Sequence, residues 1–309
     1  MTPASSSASL LVLAGPTASG KSAVALELAE QIGGEIVSVD SMQVYRGLDL
    51  GTAKPTAADR TRVPHHLIDV ADLTESFDAA QFVAHANLVM EDVQARGRVP
   101  IFCGGTGLYF NAWLNGLGVA PAPDATLRAE LEALPLPALL DELARRDVIT
   151  FDEIDVHNRR RVVRAVEVIR LTGKPFSQQR ADWPDRAPSL AGRSFGLMRS
   201  REDVVRRINL RVDAMFAAGL IEETRSLTNR GLERNRTATQ AIGYRQVLEL
   251  LRGERSRLET IELVKVRTRQ FAKRQLTWFQ GQMDLRWLEV PSSESPSETA
   301  KRIAALLKP

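Results

Sequence analysis

Residues 10–22 read Leu10-Leu11-Val12-Leu13-Ala14-Gly15-Pro16-Thr17-Ala18-Ser19-Gly20-Lys21-Ser22. An apolar run of strand length, Leu10–Ala14, feeds directly into the pattern G-x-x-x-x-G-K-S over Gly15–Ser22, and Val24, Leu28 and Ile32 then recur at helical spacing. Strand, glycine loop and helix in that order make a phosphate cradle. The glycines let successive backbone N–H groups converge on phosphate oxygens, and the helix N-terminus adds partial positive charge. Lys21 brings a full charge to the anion, and the Ser22 hydroxyl is a ligand for Mg²⁺. The set that binds a diphosphate or a triphosphate is therefore Gly15, Pro16, Thr17, Ala18, Ser19, Gly20, Lys21 and Ser22.

Working outward, Gly33-Gly34 stops the first helix, and Glu35–Asp40 reads as a second strand ending in an acid. Ala79–Ala95 has helical periodicity, and Val99–Cys103 reads as a third strand that enters Gly104-Gly105-Thr106-Gly107. Strands alternating with helices predict an α/β fold, a P-loop NTPase-like parallel sheet flanked by helices. After Gly116 the texture changes. Pro121, Pro123, Pro135 and Pro137 punctuate short helical pieces, and no strand signal returns until about Ser194. Residues 117–185 are read as a helical insertion domain, with 10–116 and 186–309 forming the catalytic core and 1–9 a disordered tail. The rest of the core is helix-rich: Arg-rich helices over Arg201–Leu227, a break at Gly253 and a long basic helix over Ser256–Phe279. A strand at Leu285–Val290 and a helix at Ser297–Leu307 close it.

Composition narrows the class. With 44% hydrophobic and 26% charged residues the chain reads as an ordinary soluble globular protein, and no apolar run reaches the roughly 20 residues of a membrane span. The single cysteine, Cys103, excludes an internal disulfide framework and a Cys-rich zinc module, which predicts a reducing, cytoplasmic setting. A monomer is expected. Net charge is only +3, but Lys and Arg crowd into Arg159–Arg164, Arg193–Arg211 and Lys265–Arg274, clusters able either to hold a polyanion or to serve as solvated helix faces.

A phosphate-transfer enzyme usually places a second acid on a neighbouring strand, yet the third strand ends in Cys103-Gly104-Gly105. Asp40 is the well-placed acid, and by itself it suits either a magnesium ligand or a base. Ser41, Met42 and Gln43, followed by Val44-Tyr45, offer groups for a nucleobase edge, because a glutamine amide pairs with adenine through two hydrogen bonds. His65-His66 reads as a loop packed near the active site rather than a metal pair, and Cys103 as a small buried filler. Arg160, Arg161 and Arg164 share helical spacing. Tyr244-Arg245, and Lys273-Arg274-Gln275 with Trp278, add basic surface bearing aromatic residues; Trp278 is also open to a core role, which is the reading for Phe279.

Seven segments in order, GPTASGKS (15–22), SVDSMQVYRGLDLGTAKP (38–55), VPHHLID (63–69), GGTGLY (104–109), RRRVVRAVEV (159–168), AIGYRQ (241–246) and TRQFAKRQLTWF (268–279), resemble the bacterial tRNA dimethylallyltransferases, or isopentenyl-tRNA transferases. The resemblance implies that dimethylallyl diphosphate places its diphosphate in the P-loop, with Lys21, Mg²⁺ and an arginine of the Arg207–Arg211 segment, Arg211 being favoured, meeting the leaving group. It implies that the adenosine 3′ to the anticodon of tRNA is flipped into a channel, that Asp40 is the general base, and that Thr106 and Arg128 lie beside the acceptor. By the same resemblance Val162, Val163 and Gly243 join the tRNA-binding set with the residues already named on those segments.

Two positions depart from the family pattern: Asn158 stands where an Asp often precedes the arginine run, and Gln280 where a basic residue usually follows TWF. The alternatives are an adenylate prenyltransferase acting on free AMP, ADP or ATP, and a P-loop small-molecule kinase. The helical insertion and the basic TRQFAKRQLTWF segment favour tRNA, and the missing second acid disfavours the kinase.

Overall fold

A computed structural model describes residues 10–181, 190 and 192–307. The expected tail at 1–9 and the expected C-terminal limit of the insertion, near 185, lie outside the described residues. The chain divides into two compact units, Met1–Leu114 with Asp185–Pro309, and Asn115–Pro184. No helix among the described residues is long and apolar enough to cross a membrane.

The first unit begins with β1 (Leu11–Ala14), α1 (Lys21–Ile32), β2 (Gly34–Val39), α2 (Ala57–Arg62), β3 (His65–His66), α3 (Ala79–Ala95), β4 (Val99–Gly104) and α4 (Gly107–Asn115). The second unit holds α5 (Ala125–Ala133), α6 (Leu136–Arg146), α7 (Val148–Glu153) and α8 (Arg159–Thr172). The chain then completes the first unit with β5 (Ser194–Met198), α9 (Arg201–Ala217), α10 (Leu220–Asn229), α11 (Tyr244–Leu251), α12 (Arg257–Gln282), β6 (Arg286–Glu289) and α13 (Pro296–Leu306).

The six strands form one parallel sheet in the order β3-β2-β4-β1-β5-β6. Successive side chains of a strand point to opposite faces, and here both faces are covered. Leu11, Leu13, Ile36, Ile101, Phe195 and Leu197 enter one core with Val24 and Leu28 of α1 and Ile303 of α13. Val12, Ala14, Val37 and Phe102 enter the other, with Phe82, Phe110, Ile208 and Phe279. The near-continuous apolar runs read from the sequence are the consequence. Because every strand is parallel, the loops after β1, β2, β4 and β5 leave from the same edge of the sheet.

Local signals set the helix ends. Gly33 caps α1 in the left-handed region (φ 67°), which removes the steric cost a side chain would bring. Asp78 with Gln81, and Ser256 with Glu259, form capping boxes at the starts of α3 and α12. The sequence misses one strand. His65-His66 is not a loop but a short edge strand pairing with Ile36 and Val37. It supplies partners for backbone groups on the open edge of β2. Its His66 Nε2 lies 2.7 Å from Glu35 Oε2, at the start of β2 and so at the opposite end from Asp40. Val99–Gly104 is accordingly the fourth strand in the chain.

The second unit has its own core of Leu131, Leu139, Leu143, Val162, Val166 and Ile169. Within it Glu167 is fully buried, and its carboxylate accepts from Arg128 (2.5 Å), Arg164 (2.7 Å) and the backbone N–H of Asp124 (3.1 Å). A buried carboxylate persists only when its lone pairs are met in this way.

Where β4 ends, a Cβ on Gly104 would lie 2.1 Å from the Val39 carbonyl oxygen of the paired strand. Gly104→Ala should therefore destabilise the fold by about 1–3 kcal/mol, read as a lower urea midpoint at unchanged slope.

Candidate active site

The P-loop leaves β1 and passes through unusual backbone conformations: φ is 152° at Gly15, 66° at Ala18 and 92° at Gly20, the N-cap of α1. A side chain at Gly15 would meet the Leu197 carbonyl oxygen at 2.8 Å, so the neighbouring strand as well as the turn requires glycine there. Ser19 Oγ is buried and carries no hydrogen bond among the described residues. Such a hydroxyl is costly unless a ligand oxygen meets it, which suits a phosphate cradle.

Arginines from the segment after β5 hold the loop. Arg199 donates from Nε to the Ser19 carbonyl (2.8 Å) and from its other end to Asp203 (3.0 Å) and the Pro291 carbonyl (3.1 Å). Arg207 Nε donates to the Ala18 carbonyl at 3.0 Å, and Arg211 donates to the Thr17 hydroxyl. Both members of the Arg207–Arg211 segment thus reach the loop. The brace by Arg199 was not singled out from sequence; its signal was a basic residue directly following the β5 strand, inside a cluster already noted.

Lys21 donates from Nζ to the Pro16 carbonyl at 3.2 Å, and its ammonium is withdrawn from water although the residue as a whole is half-buried. Burial lowers its pKa; Arg211 pushes the same way, while Cys103 and Asp40 oppose. Burial, followed by the neighbouring Arg207, likewise lowers the pKa of the Arg211 guanidinium, and burial followed by Arg199 lowers that of Arg207. These are cations held partly dry and tied to acceptors of the P-loop, an arrangement that gains when an anion arrives.

Asp40 follows β2. Its Oδ1 accepts from the backbone N–H of Met42 (2.8 Å) and Gln43 (3.2 Å), and Oδ2 has no bond among the described residues. Thr106 follows β4, its Oγ1 accepting from Ser41 N–H at 3.1 Å, while the N–H groups of Gly105 and Thr106 donate to the Val39 carbonyl. The β2 and β4 loops are therefore locked together. Ser41 and Met42 remain partly accessible. Gln43 does not present a free amide to a base: its oxygen accepts from Ser38 Oγ (2.9 Å) and its nitrogen donates to the Thr52 carbonyl (3.1 Å).

Cys103 is buried in β4. Desolvation, with Asp40 acting in the same direction and Lys21 against it, pushes the thiol pKa up to about 11. The strand-end position is filled by a neutral thiol, and Ser22 at the head of α1 is exposed.

The remaining sequence-predicted contacts divide. In the second unit Arg160 and Arg161 are exposed, and Arg128 and Arg164 are half-exposed but tied to Glu167. Val162 and Val163 are corrected: a helix cannot present every side, and these two side chains fill the unit's core. In the first unit Lys273, Arg274 and Arg245 are exposed. Tyr244 is corrected as an exposed aromatic: it is fully buried, its hydroxyl donating to Glu223 (2.5 Å) and accepting from Gly51 N–H (3.1 Å). The preceding Gly243 is buried with φ 100°. Gln275 is buried between two loops, and Trp278 lies half-buried, edge-on to Phe279 at 5.3 Å between ring centroids. A pocket of about 410 Å³ between α11 and α12 is lined by Arg245, Arg255, Arg267 and Arg274, with Glu249 the sole carboxylate in its lining.

Residues 43–282 match the IPP transferase family. The chain is 44% identical to tRNA dimethylallyltransferase 1 of Trichlorobacter lovleyi, covering 94% of this chain and 97% of that protein. It is also 44% identical to the tRNA dimethylallyltransferase of Pelotomaculum thermopropionicum, covering 96% and 95%. Among solved structures, the tRNA isopentenylpyrophosphate transferase of Bacillus halodurans superposes with a TM-score of 0.70 at 38% identity, covering 97% of each chain. A eukaryotic dimethylallyltransferase captured acting on tRNA gives a TM-score of 0.78 at 26% identity, covering 96% of this chain and 77% of that one.

A buried thiol whose pKa is pushed up to about 11 by desolvation is a poor nucleophile at pH 8. Iodoacetamide should leave Cys103 unmodified in the native protein over a period that fully labels the urea-unfolded chain, as read by intact mass. Rapid native labelling would show the end of β4 open to solvent.

Proposed function

The chain belongs to the IPP transferase family, and from that premise we propose that it transfers a dimethylallyl group from dimethylallyl diphosphate to N6 of the adenosine 3′ to the anticodon in tRNA. The observation that carries this reading is the pairing of an anion cradle, Lys21 with Arg207 and Arg211, with one carboxylate, Asp40, at the end of β2, one strand removed from β1 across β4. The adjoining strand offers a neutral thiol and glycines instead of a second acid.

The chemistry has two demands. The bond between the dimethylallyl C1 and the diphosphate oxygen breaks, so negative charge builds on the leaving group; Lys21, Arg207, Arg211 and the P-loop N–H groups are in place before it does. The bond between N6 and C1 forms, and an N6 proton must leave. An exocyclic amine is a weak nucleophile because its lone pair is shared with the ring, so a carboxylate accepting that proton accelerates attack. Oδ2 of Asp40 takes this role, since Oδ1 is held by the turn. Thr106 keeps Ser41, and with it the carboxylate, in position.

Mg²⁺ fits the donor available: the exposed Ser22 hydroxyl is a hard oxygen ligand of the kind that ion prefers, and it would hold the ion beside the P-loop. When bound it would neutralise diphosphate charge. For the acceptor, the arginine-lined pocket beside α12 and the exposed Lys273 and Arg274 suit the phosphates of a tRNA anticodon stem-loop, and exposed Arg160 and Arg161 offer a second basic surface.

The direct test is transfer of labelled dimethylallyl from its diphosphate with Mg²⁺, offering unmodified tRNA and AMP separately. Label should enter tRNA alone; label in AMP alone would move the protein to free-adenylate acceptors. Asp40→Asn keeps an acceptor for the turn but removes the base, so turnover should fall by ~10²–10⁴ while tRNA affinity holds. Retained turnover would remove Asp40 from that role. Lys273→Ala combined with Arg274→Ala should weaken tRNA binding and reduce the salt slope of log K by about 1–2. An unchanged slope would place the RNA elsewhere.

A further inference from the structure

One buried side chain joins the two halves of this chemistry. Gln275, on α12, is 8% exposed and lies between the P-loop and the loop after β4. Its Oε1 accepts from Thr17 N–H at 2.8 Å, and its Nε2 donates to the Gly105 carbonyl at 2.8 Å. The two partners fix the orientation of the amide, because a backbone N–H needs the oxygen and a carbonyl needs the nitrogen.

The contacts extend in both directions. Thr17 also accepts from Arg211 through its hydroxyl. Gly105 precedes Thr106, whose Oγ1 accepts from Ser41 N–H, next to Asp40. A single chain of hydrogen bonds thus runs from Arg211 through Thr17, Gln275 and the Gly105-Thr106 loop to the residue beside Asp40. Two glycines of the GGTG segment, Gly105 and Gly107, are explained by the approach of α12. A Cβ on Gly105 would lie 2.3 Å from Gln275 Nε2, and one on Gly107 would lie 2.2 Å from the Trp278 ring. Gln275 and Trp278 are three residues apart on α12 and so share a face. That face docks on the loop only where side chains are missing.

We propose that Gln275 is a positioning residue for the transfer reaction: it sets the separation between the diphosphate cradle and the Asp40–Thr106 side, instead of contacting tRNA. The inference rests on the reading given under Proposed function, but its structural part does not depend on it. The amide is held by two backbone partners, while the neighbouring Lys273 and Arg274 are exposed on the same helix. Small displacements of reacting groups are expensive, of order 10²-fold in rate for about 1 Å.

Two measurements on the full chain test it. The first is hydrogen–deuterium exchange of Gln275→Met, which keeps the side-chain length but removes both hydrogen bonds. Exchange should rise in the P-loop (15–20) and in the β4 loop (104–107) together, with little change in the cores of β1, β4 and α9. Unchanged exchange in either loop, or a general loosening of the fold, overturns the relay whether or not the protein transfers dimethylallyl groups. The second is steady-state transfer to tRNA. Gln275→Met should lower kcat by about 10²-fold, with the tRNA KM changed less than about threefold, and Gln275→Asn, which keeps an amide too short to span both partners, should also lose rate. A raised KM at unchanged kcat would assign Gln275 to the RNA instead. The wild-type chain, run alongside, separates the two ideas: no transfer by wild type sinks the proposed function, while the exchange result still decides the relay.

Discussion

Positive charge kept away from water is the constraint around which the reactive edge is organised. Lys21, Arg207 and Arg211 all sit where burial disfavours their charge. They remain only because backbone carbonyls and hydroxyls of the P-loop hold them: Pro16, Ala18 and Thr17 respectively. The same bonds shape the loop, so the cations and the cradle specify each other. Desolvation that disfavours these charges also strengthens their attraction for an anion, because the interaction operates in a low-dielectric setting. Arg199 contributes differently. Its guanidinium donates to Ser19, Asp203 and Pro291, which makes it a strut for the loop.

The parallel sheet makes this possible by bringing the loops after β1, β2, β4 and β5 to one edge. It does not by itself set their spacing. That is done by cross-links: Thr106 to Ser41, Gly105 and Thr106 to Val39, and Gln275 from Thr17 to Gly105. The long basic helix α12 therefore has two faces with separate duties. Gln275 and Phe279 are buried against the catalytic unit, while Lys273 and Arg274 stay in solvent.

The loop after β2 shows the same economy with polar groups. Gln43 closes the loop onto Ser38 and Thr52, Tyr244 and Glu223 anchor Gly51 and Leu50, and Lys54 is enclosed by Asp49, Asp69 and the Tyr45 carbonyl. Side chains that look like recognition groups in the sequence are here structural because burying a long loop leaves many backbone groups to satisfy. In the insertion, Glu167 has the corresponding role, gathering Arg128 and Arg164 that would otherwise count as free positive charge.

The sequence by itself determined the parallel α/β fold, the glycine loop between β1 and α1, the position of Asp40 at a strand end and the helical character of the described residues between α4 and β5. These are encoded locally: apolar runs of strand length, helical spacing, capping residues and glycines where the backbone turns through positive φ. It also marked the basic segments, because charge is visible in composition. Only the tertiary structure decided which of those groups are available. Whether Gln43, Tyr244, Gln275 or Val162 faces a ligand depends on partners as far as 258 residues away, as for Gln275 and Thr17. The two-residue strand at His65-His66 was hidden for the same reason: its stability comes from the open edge of β2 and not from its own residues. A motif fixes what a residue is able to do; hydrogen-bond partners brought from distant segments fix whether that ability is still free.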